Sequence, residues 1–331
     1  MFSVCIIIAI LFAICLIPIP YPLTSKLKSK SGGGIFDIQH TTAIKGMAIL
    51  LILVGHISGT FSTVVFTPLA SAGVSLFLIM SGYGLSESFK TNGLSHYWQK
   101  KITRVLIPYA IVVTILAIAN RSFNLTNYLL NITGISTSYW YIAYQIKWYI
   151  VFYLAIALLP KYKMPLMIIA SVAMFFLLGS LAREQSFAFV IGVFLSDHKD
   201  YIAKLSHKKM LWIFIVAFCI ATIFLGIKQV PAVRTLSGTL YYSFIQLVQN
   251  LSFACSIISF MILVPAITRS SFLVFCGIIS YEIYLLHFPF YGKVDGSIAL
   301  AFVLIILSVI ASYLFYIFNN SISRYISNKS H

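Results

Sequence analysis

Acidic residues are almost missing from this chain, with seven Asp and Glu against 23 Lys and Arg in 331 residues, and charged residues of both signs make up only 9%. A soluble domain carries about a quarter, so a water-facing globular surface is excluded. Long polar intervals are missing too. The longest, 121–147, has 27 residues, which leaves no room for a separate soluble domain. The five cysteines, Cys5, Cys15, Cys219, Cys255 and Cys276, are scattered through apolar runs without CxxC spacing. That pattern excludes a disulfide framework and a thiolate metal site, and reads as small buried hydrophobes. No metal is expected. No internal repeat is evident, so the duplicated halves of many transporters are missing as well.

What is abundant is apolar sequence, at 60% hydrophobic residues and a mean hydropathy of +0.97. A bilayer core roughly 30 Å thick takes about 20 apolar residues per helical span. Eleven stretches answer to that: 2–23, 43–63, 67–88, 105–120, 148–162, 164–182, 186–197, 210–227, 238–264, 272–291 and 297–318, the seventh being short. Continuous runs favour helices over the alternating pattern of a β-barrel. The expected fold is an all-α integral membrane protein, a polytopic helical bundle of about ten core transmembrane helices plus one extra N-terminal span. Residues 1–34 hold that extra span, read as uncleaved because it lacks a basic leader and a small-residue cleavage site, and a basic link ending in Ser29–Gly34 (SKSGGG). Residues 35–331 form the core domain.

Positive residues concentrate on the cytoplasmic side of a membrane protein. With the N-terminus outside, 17 of the 23 Lys and Arg fall in cytoplasmic segments and six in external ones. An N-out, C-in, multi-pass protein of the cell membrane is therefore expected. Topology and anionic lipid headgroups account for the net charge of +16, so nucleic acid is not an expected partner.

Of seven histidines, only His56 and His287 lie well inside long apolar runs. An ionisable group at membrane depth is costly and faces a bundle interior or a water-filled cavity, which makes it a functional-site hypothesis by default. Lys45 and His56 are eleven residues apart in IKGMAILLILVGH, nearly on one helix face and roughly 16 Å apart along the axis. Ser280, Tyr284 and His287 share another face at i, i+4 and i+7, while Glu282 points elsewhere. The alternative for each histidine is a bond to a neighbouring carbonyl, and for Lys45 simple snorkelling.

Here the chain resembles the membrane acyltransferase-3 family. Lys45 and His56 occupy the places of an Arg and a His separated by ten residues in that family's first core helix. Gly73–Tyr83 (GVSLFLIMSGY) is similar to its GVxLFFxxSGF segment, and Tyr97–Pro108 (YWQKKITRVLIP) to its basic FxxRRxxRIxP stretch. Ser280–His287 (SYEIYLLH) matches its SYxxYLxH element, and Lys147-Trp148-Tyr149, at the expected start of a span, resembles a weaker tryptophan motif. In order and spacing these cover about 45–290.

The resemblance implies transfer of an acyl group, usually acetyl, from cytoplasmic acyl-coenzyme A to a hydroxyl of a surface polysaccharide or lipid-linked glycan on the outer side, with no bound cofactor. The residues suit that task. A neutral imidazole is fitted to take a hydroxyl proton near pH 7, and His56 and His287 are the expected catalytic pair. The donor's phosphates call for Lys or Arg, for which Lys45, Lys100, Lys101 and Arg104 are candidates, with Trp98 offering a ring to an adenine. Ser280, Tyr284 and Trp148 are the other expected substrate contacts. Lys45 departs from the family's Arg and offers a point charge in place of a planar fork. The expected partners are acyl-coenzyme A, the glycan acceptor and membrane lipids. A transporter or flippase of a glycan precursor or small solute is the competing reading, because intramembrane His and Glu also mark transport pathways.

Overall fold

In lipid, each backbone N–H and C=O must find its partner within the protein, and the chain answers with helices. The structure, a computed structural model, describes residues 5–6, 34–61, 65–119, 124–135, 137–291 and 297–329. No strand occurs among them. The expected first span and its link lie outside the described residues but for 5–6 and Gly34.

The main elements are α1 (Ile38–Thr60), α2 (Thr67–Asn92), α3 (Tyr97–Ala119), α4 (Leu125–Ile132), α5 (Trp140–Leu158), α6 (Lys163–Leu177), α7 (Ala188–Asp197), α8 (His207–Gln229), α9 (Leu240–Leu263), α10 (Ser271–Ile278), α11 (Ser280–Tyr291) and α12 (Ile298–Lys329). Among the described residues, eight helices are long and apolar enough to cross a membrane. The expected seventh stretch makes only the ten-residue α7. The run 272–291 breaks at Ile279 into α10 and α11, with the Ser280 hydroxyl donating to the Gly277 carbonyl at the break. The interval 121–147 is not a plain loop, since it holds α4 and the first two turns of α5. As a result Lys147-Trp148-Tyr149 falls in the middle of α5 rather than at its start.

Burial identifies the centre. In the most apolar window of α2, 78% of residues are buried, against 11% in α8; α2 is the axis of the bundle and α8 faces outward. α2 packs against α1, α7 and α9, and α1 packs in turn against α10 and α11. Two pairs of glycines make these contacts close. A Cβ at Gly46 of α1 would fall on the Leu273 carbonyl of α10, and one at Gly277 of α10 on the Thr42 carbonyl of α1. Gly82 of α2 and Gly192 of α7 meet the Phe189 and Ile79 carbonyls in the same way. Small residues at such crossings let backbones approach where lipid provides no hydrophobic drive.

α3 opens with one α turn and then widens into a five-residue π segment, Ile102–Leu106, in which the Ile107 N–H reaches back to the Ile102 carbonyl. Pro108 lacks the N–H that an α-helix needs four residues beyond Arg104, and the widened turn lies just ahead of it. The Tyr281 hydroxyl of α11 donates to the Val105 carbonyl in this segment at 2.7 Å. Other tyrosines do the same across the bundle: Tyr97 to the Tyr149 carbonyl at 2.8 Å, Tyr139 to Leu285 at 2.9 Å and Tyr83 to Phe36 at 3.0 Å.

The end of the bundle nearer Lys45 is tied by ion pairs. Glu87 of α2 meets Lys90 and Lys199, and Asp197 of α7 meets Lys163 at 2.8 Å and Lys90 at 3.5 Å. At the other end Glu184, 3% exposed, lies between the membrane-crossing helices near Ser71. Burial pushes its carboxyl up to about 7 against the opposing pull of Lys228 and the Ser71 bond.

The glycine contacts give a direct test. Gly192→Ala places its methyl on backbone that cannot yield, and should cost about 1–3 kcal/mol, read as a lower melting temperature in detergent. Gly226→Ala in α8, with nothing within 4 Å of the new Cβ, should leave it unchanged. Equal behaviour of the two variants would contradict the packing described.

Candidate active site

α1 carries the site. Lys45 lies two turns in from its first residue and His56 one turn from its last, so the residues stand at opposite depths of the same helix. His287 reaches the same place from α11, because the glycine contact between α1 and α10 brings the following helix alongside. The His56 Nδ1 and His287 Nε2 atoms are 2.8 Å apart. The ring planes differ by 9° and the centroids are 5.1 Å apart, as two rings joined edge to edge in one plane must be. His287 is 3% exposed and His56 is half-buried.

The neighbours fix the tautomers. His287 Nδ1 lies 2.8 Å from the Tyr284 carbonyl and 3.1 Å from the Ile283 carbonyl. Carbonyls only accept, so Nδ1 of His287 carries its proton and donates. In the neutral ring Nε2 then holds the lone pair and must accept, which makes His56 Nδ1 the donor between the rings. The lone pair of neutral His56 is left on Nε2. Two imidazoles thus act as one oriented unit, with a backbone carbonyl setting the first and the first setting the second.

Below them on α1 and α3 lies a group of cations. Lys45, Arg104 and Lys100 are the charged neighbours of Lys101, and Lys101 lies over the Tyr149 ring at 4.5 Å and the Tyr97 ring at 5.4 Å. Arg104 projects from the π segment and is exposed, while Lys45, Lys100 and Lys101 are half-buried. None of the four has an acidic partner among the described residues. Lys90, Lys163 and Lys199, which the charge count treats alike, are all paired. Trp98 packs on Tyr97 and Tyr153, with ring centroids 5.2 and 5.3 Å away.

Polar side chains of α2 and α5 lie between the cations and the histidines. Gln145, 4% exposed, donates from Nε2 to the Ser81 hydroxyl at 2.6 Å and accepts from the Tyr141 hydroxyl at 3.0 Å. The Tyr149 hydroxyl lies against Ser81 and Gln145. Tyr141 then meets the Tyr284 ring at 5.2 Å, and Tyr284 the His287 ring at 5.7 Å. A continuous file of side chains therefore joins Lys101 to His287.

Of the expected substrate contacts, the structure places Tyr284 in this file and Ser280 at the break before α11. Trp148 is 0% exposed and stacked on Phe189 at 4.9 Å, closed into the packing between α5 and α7. Glu282, 7% exposed, accepts from Asn319 of α12 at 3.4 Å rather than from a basic residue. Sequence reasoning passes over Tyr141 and Gln145, and names Tyr149 only as part of the tryptophan motif. A lone Gln flanked by tyrosines at i−4 and i+4 in an apolar run was the signal available. An open cavity of about 310 Å3 lies at the N-terminal end of α5, lined by Thr137, Trp140, Tyr144, Lys147 and Ser180 among others.

A family model described as an acyltransferase domain matches residues 42–318. No curated protein and no solved structure gives a match.

The unpaired cations carry a stability consequence. A partly buried charge with no counter-ion costs free energy, which the two tyrosine faces offset only in part. Lys101→Met should raise the melting temperature of the ligand-free protein by roughly 2 °C, about 1 kcal/mol, in a thermal-shift assay. A fall of the same size would show that the ring contacts outweigh the charge.

Proposed function

The chain belongs to the acyltransferase-3 family, and from that premise we propose that it moves an acyl group, in the first instance acetyl, from acyl-coenzyme A to a hydroxyl of a surface polysaccharide or lipid-linked glycan. The observation that carries this reading is the 2.8 Å contact between His56, which stands on the same helix as Lys45, and His287 of α11, with four cations that lack acids among the described residues gathered toward the Lys45 end. Phosphates of a donor would supply the missing negative charge; Arg104 would take the part of their recognition that needs fixed donors, and Lys45 would add a point charge.

In this reading His56 Nε2 takes the proton of the acceptor hydroxyl while its oxygen attacks the thioester carbonyl carbon. The carbon–sulfur bond breaks, the new ester leaves with the glycan, and the proton passes from the imidazolium to the departing thiolate. His287 positions His56 and spreads the charge that His56 gains, as the second group of a nucleophile-activating chain does. With the bundle N-out and C-in in the cell membrane, the cations meet a cytoplasmic donor and the histidines lie nearer the outer face. The cavity at Trp140, Thr137 and Ser180 lies on the histidine side, and an aromatic ring with hydroxyls around it suits a sugar.

The test is the ester-linked acyl content of the host's surface glycans in wild type, a deletion strain, and the deletion complemented with His56→Ala. Loss of a general base costs about 10²–10⁴ in rate, so His56→Ala at normal abundance should leave the glycan unacylated but exported. Normal acylation in that strain would remove His56 from the reaction, and altered export with unchanged acylation would favour transport. Lys45→Arg should retain or raise activity, measured as acyl transfer by membranes at limiting acyl-coenzyme A. Complete loss would mean that a compact ammonium is required.

A further inference from the structure

Gln145, Ser81, Tyr141 and Tyr149 put an amide and three hydroxyls together within the bundle, where polar groups are expensive unless a partner is present. They stand apart from the histidine pair, which they meet through Tyr284, and from the cations, which they meet through the Tyr149 ring. Ser81 keeps partial exposure between Met80, at 1%, and buried Gly82, as do Lys45 and His56 on α1. Each of these three half-buried positions, among closed neighbours, keeps part of its side chain accessible.

We infer that the Ser81, Gln145, Tyr141 and Tyr149 cluster recognises an amide of the donor's pantetheine arm; this rests on the acyl-coenzyme A reading above. The arm runs through twelve bonds from phosphate oxygen to sulfur and contains two amides. Counted as extended chain, with three bonds per residue, it reaches roughly 14 Å. Lys45 and His56 are separated by roughly 16 Å along α1, and their side chains cover the remainder. With its phosphates among the cations and its thioester at the histidines, the arm brings its amides to the depth of the cluster. Tyr141 and Tyr149 span about 12 Å of α5, the same interval. An amide N–H and C=O passing through an apolar bundle each need a partner, and beyond its bonds to Ser81 and Tyr141 Gln145 keeps the complementary pair: a second lone pair on Oε1 to accept and a second proton on Nε2 to donate. The hydroxyls of Ser81, Tyr141 and Tyr149 hold that amide in place and can turn to either role.

The experiment is a cycle between protein and donor, using the full chain in lipid nanodiscs and one soluble glycan acceptor. The proteins are wild type, Gln145→Leu and the milder Ser81→Ala, each required to elute as a single monodisperse species. The donors are acetyl-coenzyme A and two analogues, each with one arm amide N–H replaced by CH2. Wild type should show KM about tenfold higher for one analogue, the cost of leaving a buried hydrogen-bonding group unmet. Gln145→Leu should show a similar rise in KM for acetyl-coenzyme A, little change in kcat, and no further discrimination against that analogue. Ser81→Ala should fall between. Additive effects of variant and analogue, or a fall in kcat with all donors and no change in KM, would overturn the inference and leave the cluster a packing device. Absence of any transfer from acetyl-coenzyme A by the wild type would instead overturn the donor reading, and this inference with it.

Discussion

The close approach of α1 and α10 is the contact on which the rest depends. Gly46 and Gly277 each meet a carbonyl of the opposite helix where a methyl would not fit, so the two backbones pack with nothing between them. The chain then breaks at Ile279, and α11 continues against the same helix α1. That is how His287 comes within 2.8 Å of His56. Without small residues at this crossing the two imidazoles, on separate helices, would not come within hydrogen-bond reach. With them, two costly polar groups become partners, each meeting part of the other's need for a hydrogen bond.

The same economy does not extend to the cations. Lys90, Lys163 and Lys199 have carboxylates, and Lys45, Lys100, Lys101 and Arg104 have none. A chain with seven acids cannot neutralise all its bases, and two of those acids, Glu87 and Asp197, make the ion pairs that tie α2, α6 and α7. Four of the bases without an acid, Lys45, Lys100, Lys101 and Arg104, gather between α1 and the irregular start of α3. π segments recur at functional sites because they displace side chains from the regular helical track. Here the segment holds Arg104, and the Tyr281 hydroxyl occupies a carbonyl within it.

Much of this was legible in the sequence. Apolar runs locate most membrane-crossing helices, and the depth of His56 and His287 within them singles out the pair before any contact is known. Lys45 follows from helical spacing alone. What the sequence hides is tertiary. The split of 272–291 lets α11, still against α1, turn to pack also on α12 and α3, which a hydropathy window cannot register. α5 starts at Trp140 rather than near Trp148, because tyrosines and Gln145 lower its hydropathy while Tyr141, Gln145 and Tyr149 find polar partners inside the bundle. Trp148 looked like a ligand contact as part of a motif, and the structure closes it against Phe189. Gln145 drew no notice because a single amide has no periodic signature; its significance comes from Ser81, 64 residues away.

The central claim is that one chain binds the donor at the Lys45 end and does its chemistry at the His56 end, so that an acyl group crosses between compartments. The most direct measurement reconstitutes the purified protein in sealed vesicles of one known orientation, with radiolabelled acetyl-coenzyme A confined to one side and the glycan acceptor to the other. The account predicts labelled ester when donor faces the Lys45 end and acceptor the His56 end, and none when the two are exchanged. Labelling in both arrangements, or only when donor and acceptor share a compartment, would contradict it.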